Sequence, residues 1–285
     1  MKSRALPYYE FQKGVFEIDE FDCVSVFVIV GENRALVLDT GTGIGDLRWV
    51  IENRITDKPY DVVLTHNHGD HIGGAGFFDE VWIHKNDKDF DKQDTGPNLE
   101  FRKSYAQLMK QRENKNYNYD AQRDIVEWKK RPHIKELKDE QIFDLGGRSV
   151  QIYHCPGHTE GACVAIDSLS RILFVGDACN RNFLLQKKVG ENTVQLADRT
   201  EAALRRIYEM RERFDSIYNS HHDFRGFGSP LGAEVLPNIM NCLKLLKEDR
   251  ATYVEVSDSF SSASKKKIVA AYENVQISCM NGSIS

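Results

Sequence analysis

The residues best suited to chemistry lie in one short stretch, Thr65-His66-Asn67-His68-Gly69-Asp70-His71-Ile72-Gly73-Gly74. Three imidazoles and a carboxylate fall within six residues, and neutral imidazole nitrogen and carboxylate oxygen are common ligands of zinc and similar divalent ions. The stretch follows the apolar run Asp61-Val62-Val63-Leu64, which reads as a strand. Its ligands therefore sit in the loop leaving a strand's C-terminal end, where α/β sheets commonly build sites. For a lone histidine a solvated or hydrogen-bonded role would be the better reading. Four donors in one loop closed by Gly73-Gly74 favour a metal site.

Other strands carry further donors to their ends. The hairpin Gln141–Leu145 and Ser149–Tyr153, turned at Gly146-Gly147, leads to His158. Ile172-Leu173-Phe174-Val175 leads to Asp177, and Phe214–Ser220 leads to His221-His222. Upstream, residues 8 to 38 form an antiparallel meander ending at Asp39-Thr40-Gly41-Thr42-Gly43. That glycine turn lacks both G-K-[ST] and G-x-G-x-x-G, so it reads as a close approach of the chain rather than a phosphate loop. Asp39 is placed behind the metal site, orienting a ligand histidine.

Helical periodicity marks residues 45–55, 199–213 and 232–247, and Val81–His84 is a short strand. Between about 85 and 140 the composition turns polar, interleaved with Phe90, Phe101, Tyr105, Tyr117, Tyr119 and Trp128. Short helices are predicted at 100–112 and 121–130, with Pro97 and Pro132 as breaks. This insertion is either a solvated excursion or a lid over the pocket. The tail, about 250–285, is rich in Ser and Lys around 257–267, and 268–279 is predicted to add one closing strand.

The 285 residues, 41% hydrophobic and 28% charged, suffice for a sizeable core and are read as one domain, 1–285. A net charge of −5 offers no broad attraction to nucleic acid or anionic membrane. No signal peptide or membrane-spanning run is visible. The six cysteines show no C-x-x-C pair, which predicts reduced thiols and a cytoplasmic location. The sequence carries no reading of oligomeric state.

Taken together, Leu38-Asp39-Thr40-Gly41, the H-x-H-x-D-H stretch at 66–71, Pro156-Gly157-His158-Thr159, Gly176-Asp177 and Ser220-His221 resemble the metallo-β-lactamase superfamily, in that family's order. The resemblance implies an α/β (α+β) fold, the four-layer αββα sandwich, here with a helical insertion. It implies two divalent metal ions: zinc first, with iron or manganese as alternatives. His66, His68 and His158 would hold one ion, Asp70, His71 and His221 the other, and Asp177 would bridge them. Asp70 would also steady a metal-bridging hydroxide and pass a proton to the leaving group, a catalytic role. His222 is expected to be a pocket or surface residue, His84 and His154 structural, and His133 on the surface. The implied function is a dinuclear hydrolase of a small-molecule substrate, a small ester, thioester or lactone. The alternatives are a phosphodiester or phosphonate hydrolase, with Arg181, Arg199 or the insertion supplying positive charge, and a non-catalytic metal-binding member. A β-lactam is disfavoured, because Asp177 stands where the best-known zinc β-lactamases use Cys. A lactonase assignment is weakened by the absence of a tyrosine shortly after Asp177. Lys244, Lys247 and Arg250 only weakly echo the basic cluster of a glutathione-thioester hydrolase.

Overall fold

Runs of β-branched and aromatic residues build the centre of the molecule. The computed structural model describes residues 6–92, 99–112, 119–125, 127–222, 225–258, 265–280 and 284. The first sheet contains β1 (Tyr8–Gln12), β2 (Val15–Asp19), β3 (Ser25–Val30), β4 (Ala35–Leu38), β5 (Tyr60–Val63), β6 (Glu80–His84) and β7 (His133–Leu137), side by side in chain order. β1 to β4 pair antiparallel, and β4 to β7 pair parallel. β4 is buried at every position, as expected of a strand covered on both faces.

The second sheet contains β8 (Ile142–Asp144), β9 (Ser149–His154), β10 (Cys163–Asp167) and β11 (Ile172–Gly176), joined antiparallel. β12 (Asn182–Leu185) leaves this sheet, while β13 (Ser216–Asn219) returns to it parallel to β11. Phe27, Ile29, Leu36, Leu38 and Val63 from the first sheet pack against Val150, Ile152, Ala165, Phe174 and Tyr218 from the second. Outside the first sheet lie α1 (Leu47–Val50), α2 (Gly69–Ile72), α3 (Leu99–Arg112) and α4 (Ala121–Asp124). Outside the second lie α5 (Thr193–Glu209) and α6 (Val235–Lys247), packed against each other and against the core through Leu204, Ile207, Leu236, Ile239 and Leu243. This is the αββα sandwich.

Three elements differ from the sequence reading. The periodic stretch 45–55 is one α-helical turn, α1, capped by the Asp46 side chain, followed by a π-helical turn at Ile51–Ile55. The helix expected over 121–130 is confined to α4, because Ile125 instead bridges to Ile44 in extended conformation. Where one strand was expected over 268–279, the described residues form two, and a further strand precedes them. β14 (Thr252–Ser257), β15 (Lys266–Tyr272) and β16 (Val275–Cys279) join β12 in a third sheet of order β12-β16-β15-β14. Ala270, Val275 and Ile277 give it an apolar face on the same core as α6. Pro97 and Tyr117 lie outside the described residues. No helix among the described residues is long and apolar enough to cross a membrane, and all six cysteines are free thiols.

Described residues of the insertion are bonded into the fold. Arg102 of α3 is fully buried and donates to the carbonyls of Thr42 (3.2 Å) and Gly73 (3.0 Å). Trp128 Nε1 donates to the same Gly73 carbonyl (2.8 Å), and the Tyr105 hydroxyl to the Cys23 carbonyl (2.8 Å). Beneath them the Glu20 carboxylate accepts the backbone N–H groups of Thr42 (2.5 Å), Gly43 (2.7 Å) and Ile44 (2.7 Å). Its burial raises its pKa to about 7, an increase only partly offset by those donors. The folded protein therefore favours neutral Glu20, and that contribution is complete below the ordinary value of 4.5 and lost as pH rises through 7. We predict that wild-type stability relative to Glu20→Gln falls by up to about 3 kcal/mol between pH 5 and pH 8, read from urea unfolding at matched metal occupancy. A difference that does not change with pH would contradict this.

Candidate metal centre

The donors gather at the C-terminal ends of the strands, each delivered by a local feature of the backbone. The His66–His71 loop leaves β5, and Gly73 and Gly74 let it lie against the turn after β4. A Cβ at Gly73 would meet the Thr42 carbonyl oxygen at 2.2 Å, and one at Gly74 the Thr40 carbonyl oxygen at 2.2 Å. Asp177 follows an irregularity in the β11–β13 register at Gly176, whose φ of +51° lies in the left-handed region. A Cβ there would meet Thr65 Oγ1 at 2.6 Å, so the two sheets approach each other beside the site.

The structure brings His66, His68, Asp70, His71, His158, Asp177 and His221 together. Donor atoms of His66, His68 and His158 form one group within 4.8 Å, and those of Asp70, His71 and His221 form another. Asp177 Oδ2 lies between them, 3.6 Å from His158 Nε2, 3.6 Å from His71 Nε2 and 3.1 Å from His221 Nε2. Asp70 Oδ2 is 3.7 Å from His71 Nε2 and 3.6 Å from His221 Nε2.

Hydrogen bonds on the outer nitrogens determine what the inner nitrogens offer. His158 Nδ1 faces the Leu184 carbonyl at 2.7 Å, so it carries the proton and leaves Nε2 a lone pair. His71 Nδ1 faces Asp39 Oδ2 at 2.9 Å, with the same consequence for its Nε2. Thr65 Oγ1 donates to Asp39 Oδ2 and so accepts from His66 Nδ1, which turns the lone pair of His66 Nε2 inward. His68 Nδ1 then lies 3.0 Å from His66 Nε2 and 2.8 Å from His158 Nε2, and one proton on it can satisfy only one of them. His71 Nε2 and Asp177 Oδ1 are buried with no hydrogen-bond partner. Convergent lone pairs and orphaned buried acceptors are costly without a cation, so the donor set fits bound divalent metal.

Electrostatics divide the cluster in two. Burial pushes the His66, His68 and His158 imidazoles below their ordinary pKa, which keeps them neutral. Burial opposes protonation of His71 and His221 as well, but the Asp70 and Asp177 carboxylates outweigh it, lifting His71 well above its ordinary value and His221 to about 9, so without a cation these rings hold a second proton that a bound metal would displace. Asp177 is held well below the carboxylate range: its burial is outweighed by the neighbouring His221 and His71. The second group thus has the stronger anionic field.

His222 is neither a pocket nor a surface residue. The side chains at the end of β13 alternate, so His222 turns away from His221 into the core. There Asp22 Oδ1 lies 2.7 Å from its Nε2 and Ser25 Oγ 3.0 Å from its Nδ1. Its donor atom groups with those of Asp19 and Asp22, although both its nitrogens already have partners. His84 and His154 stack at 4.0 Å outside the donor set, and His133 is exposed near Glu80. One residue important to the site carried no sequence signal. Buried Asp87 accepts from Thr159 Oγ1 (2.6 Å) and from the backbone N–H groups of Gly161 (2.9 Å) and Asn67 (3.2 Å), tying the first histidine loop to the His158 loop.

A cleft of about 760 Å³ opens above the donors. Asn67, His68, Asp70, His158, Asp177 and His221 form its floor. Arg199 is held by Glu191 at 2.9 Å and Arg181 lies 3.6 Å from Glu234, and neither is among the described residues lining the cleft.

Comparison with known proteins agrees with this architecture. The acyl-coenzyme A thioesterase MBLAC2 of Homo sapiens is 26% identical over 176 residues, covering 54% of this chain and 57% of that protein. Its counterpart from Gallus gallus is 24% identical over 173 residues, covering 54% and 56%. The matched stretches thus span little more than half the length of these curated relatives. A metallo-beta-lactamase from Pontibacter korlensis superposes with a TM-score of 0.55 at 16% identity, over 84% of this chain and 99% of that one, a likeness of fold. The family model described as the metallo-beta-lactamase superfamily matches residues 20–189, from the turn after β2 to the residues beyond β12. With most of the chain inside that match, and with the strand-end donors in place, this protein belongs to the metallo-β-lactamase superfamily.

Proposed function

We propose that the chain is a dinuclear metal-dependent hydrolase of an ester-like acyl bond, with a thioester as the leading substrate class. The observation that carries this is the pair of donor groups with Asp177 Oδ2 between them, 3.6 Å from His158 Nε2 and 3.6 Å from His71 Nε2, while Asp177 Oδ1 and His71 Nε2 are buried without hydrogen-bond partners. In this reading His66, His68 and His158 hold one ion, Asp70, His71 and His221 hold the other, and Asp177 serves both. Imidazole and carboxylate donors suit zinc, with iron or manganese as alternatives. Bound there, the ions would supply Lewis acidity for the acyl carbonyl and lower the pKa of a water to about 7.

The protein's own groups do the rest. Asp39 and the Leu184 carbonyl fix the His71 and His158 rings, and Asp87 keeps the two histidine loops in register. Asp70 lies at the cleft floor, where its carboxylate can hold the proton of the attacking water. Hydrolysis forms a C–O bond to the water oxygen and breaks the C–S bond. The water's proton passes by way of Asp70 to the departing sulfur, giving a carboxylic acid and a thiol. The thioester preference is supported by the names of the thioesterase relatives. A phosphodiester or phosphonate fits less well, because beyond the metal donors Lys267 is the one Lys or Arg side chain among the described cleft residues.

A hydrolysis screen over thioesters, lactones, phosphodiesters and β-lactams, with chelator-stripped protein as control, tests this reading. We expect thioester cleavage that disappears on stripping and returns with zinc. Faster phosphodiester cleavage, or thioester turnover that survives stripping, would contradict it. Asp39→Asn should weaken metal binding by about 10- to 100-fold in competition with a chelator, because His71 loses its orienting carboxylate. Unchanged affinity would remove Asp39 from the account. His221→Ala should lower metal content, whereas His222→Ala should lower the melting temperature and leave the content intact; the reverse ranking would exchange their roles.

A further inference from the structure

The walls of the cleft say more about the substrate than its floor does. One wall comes from the insertion: Phe90, Phe101 and Tyr105. Phe101 is 48% exposed although large and apolar, and its ring lies so close to the histidine loop that a Cβ at Gly69 would stand 3.0 Å from Phe101 Cδ1. The other wall comes from the third sheet and its edge: Leu184, Cys279 and Met280, the last 38% exposed. This wall is fixed relative to the donors. The Leu184 carbonyl holds His158 Nδ1, Leu184 pairs with Ser278 across β12 and β16, and Met280 N donates to the Leu185 carbonyl at 2.8 Å.

Solvent-exposed apolar side chains on facing walls, converging on the donor cluster, are uncommon on a surface without a ligand. An apolar occupant suits these walls: beyond the metal donors, the described cleft residues bring Asp89, Asp258 and Lys267 as their only carboxylates and ammonium, and Lys267 Nζ donates to Ser278 Oγ at 3.4 Å. We infer that the space between Phe101 and Met280 seats an extended aliphatic acyl chain, so that this protein selects thioesters of longer acyl groups over acetyl-sized ones. The inference rests on the thioester reading above and deepens it. Cys279 and Met280 lie beyond the residues 20–189 that the family model matches, whereas Leu184 lies within them.

The test uses full-length metal-loaded protein and N-acetylcysteamine thioesters from acetyl to decanoyl, together with straight-chain alkyl hydroxamates of the same lengths as uncleaved, metal-seeking ligands. Each methylene that enters the cleft should raise kcat/KM, and tighten hydroxamate binding in calorimetry, by roughly two- to fourfold. In Met280→Ala and Phe101→Ala the ratio of octanoyl to acetyl kcat/KM should fall by about tenfold, as lost apolar contact predicts. Acetyl thioester cleaved as well as octanoyl, with hydroxamate affinity independent of length, would overturn the acyl seat and leave the hydrolase reading standing. Hydroxamate affinity that rises with length while no thioester is cleaved would support the seat and overturn the thioester reading. A length dependence unchanged in both variants would overturn the assignment to these walls.

Discussion

A single buried carboxylate ties the site together. Asp39, at the end of β4 with a left-handed φ of 68°, is completely inaccessible to solvent. Its Oδ1 accepts Thr65 N at 2.7 Å, and its Oδ2 accepts Thr65 Oγ1 at 2.9 Å, faces His71 Nδ1 at 2.9 Å and meets Ser220 Oγ at 3.3 Å. Those partners belong to the loop after β5, to α2 and to the end of β13, so one side chain joins the two sheets at the point where the donors emerge. Burying an ionised carboxylate without such partners would cost several kcal/mol. Here the partners are also the residues that must be aimed.

The same logic organises the surroundings. Glu20 collects three backbone N–H groups of the turn after β4, and buried Arg102 takes carbonyls from that turn and from Gly73. Asp87 fastens the two histidine loops to each other. Polar groups that would be a liability in the core thus hold the loops in register, and the insertion becomes a support of the centre through Arg102, Tyr105 and Trp128. The donors themselves keep buried atoms unpaired, which is a cost the protein structure alone does not relieve.

What could be read from the sequence was what is local. The H-x-H-x-D-H stretch, the strand before it, and the strands that end near His158, Asp177 and His221 all advertise themselves through short-range pattern. Long-range pairing was hidden. Nothing near Asp87 indicates that it will meet Thr159, 72 positions away, and nothing near Glu20 indicates the turn at 42–44. α3 has little hydrophobic asymmetry, with Arg102 among its core-facing residues, so its polar composition left a solvated excursion and a lid equally open. The Ser- and Lys-rich tail concealed β14, which buries no residue fully, and β15, whose Ala270 joins the same core as α6. His221 and His222 were adjacent and chemically identical on paper; the alternation at the end of β13 separates a cleft histidine from a core one.

We propose that two ions occupy the paired donor groups around Asp177. Elemental analysis of the purified protein, beside Asp177→Ala, tests this. Close to two equivalents of divalent metal per chain are expected in the wild type, and the loss of at least one in the variant. Protein that emerges from metal-replete growth with none bound, or with the same content in both forms, would contradict it.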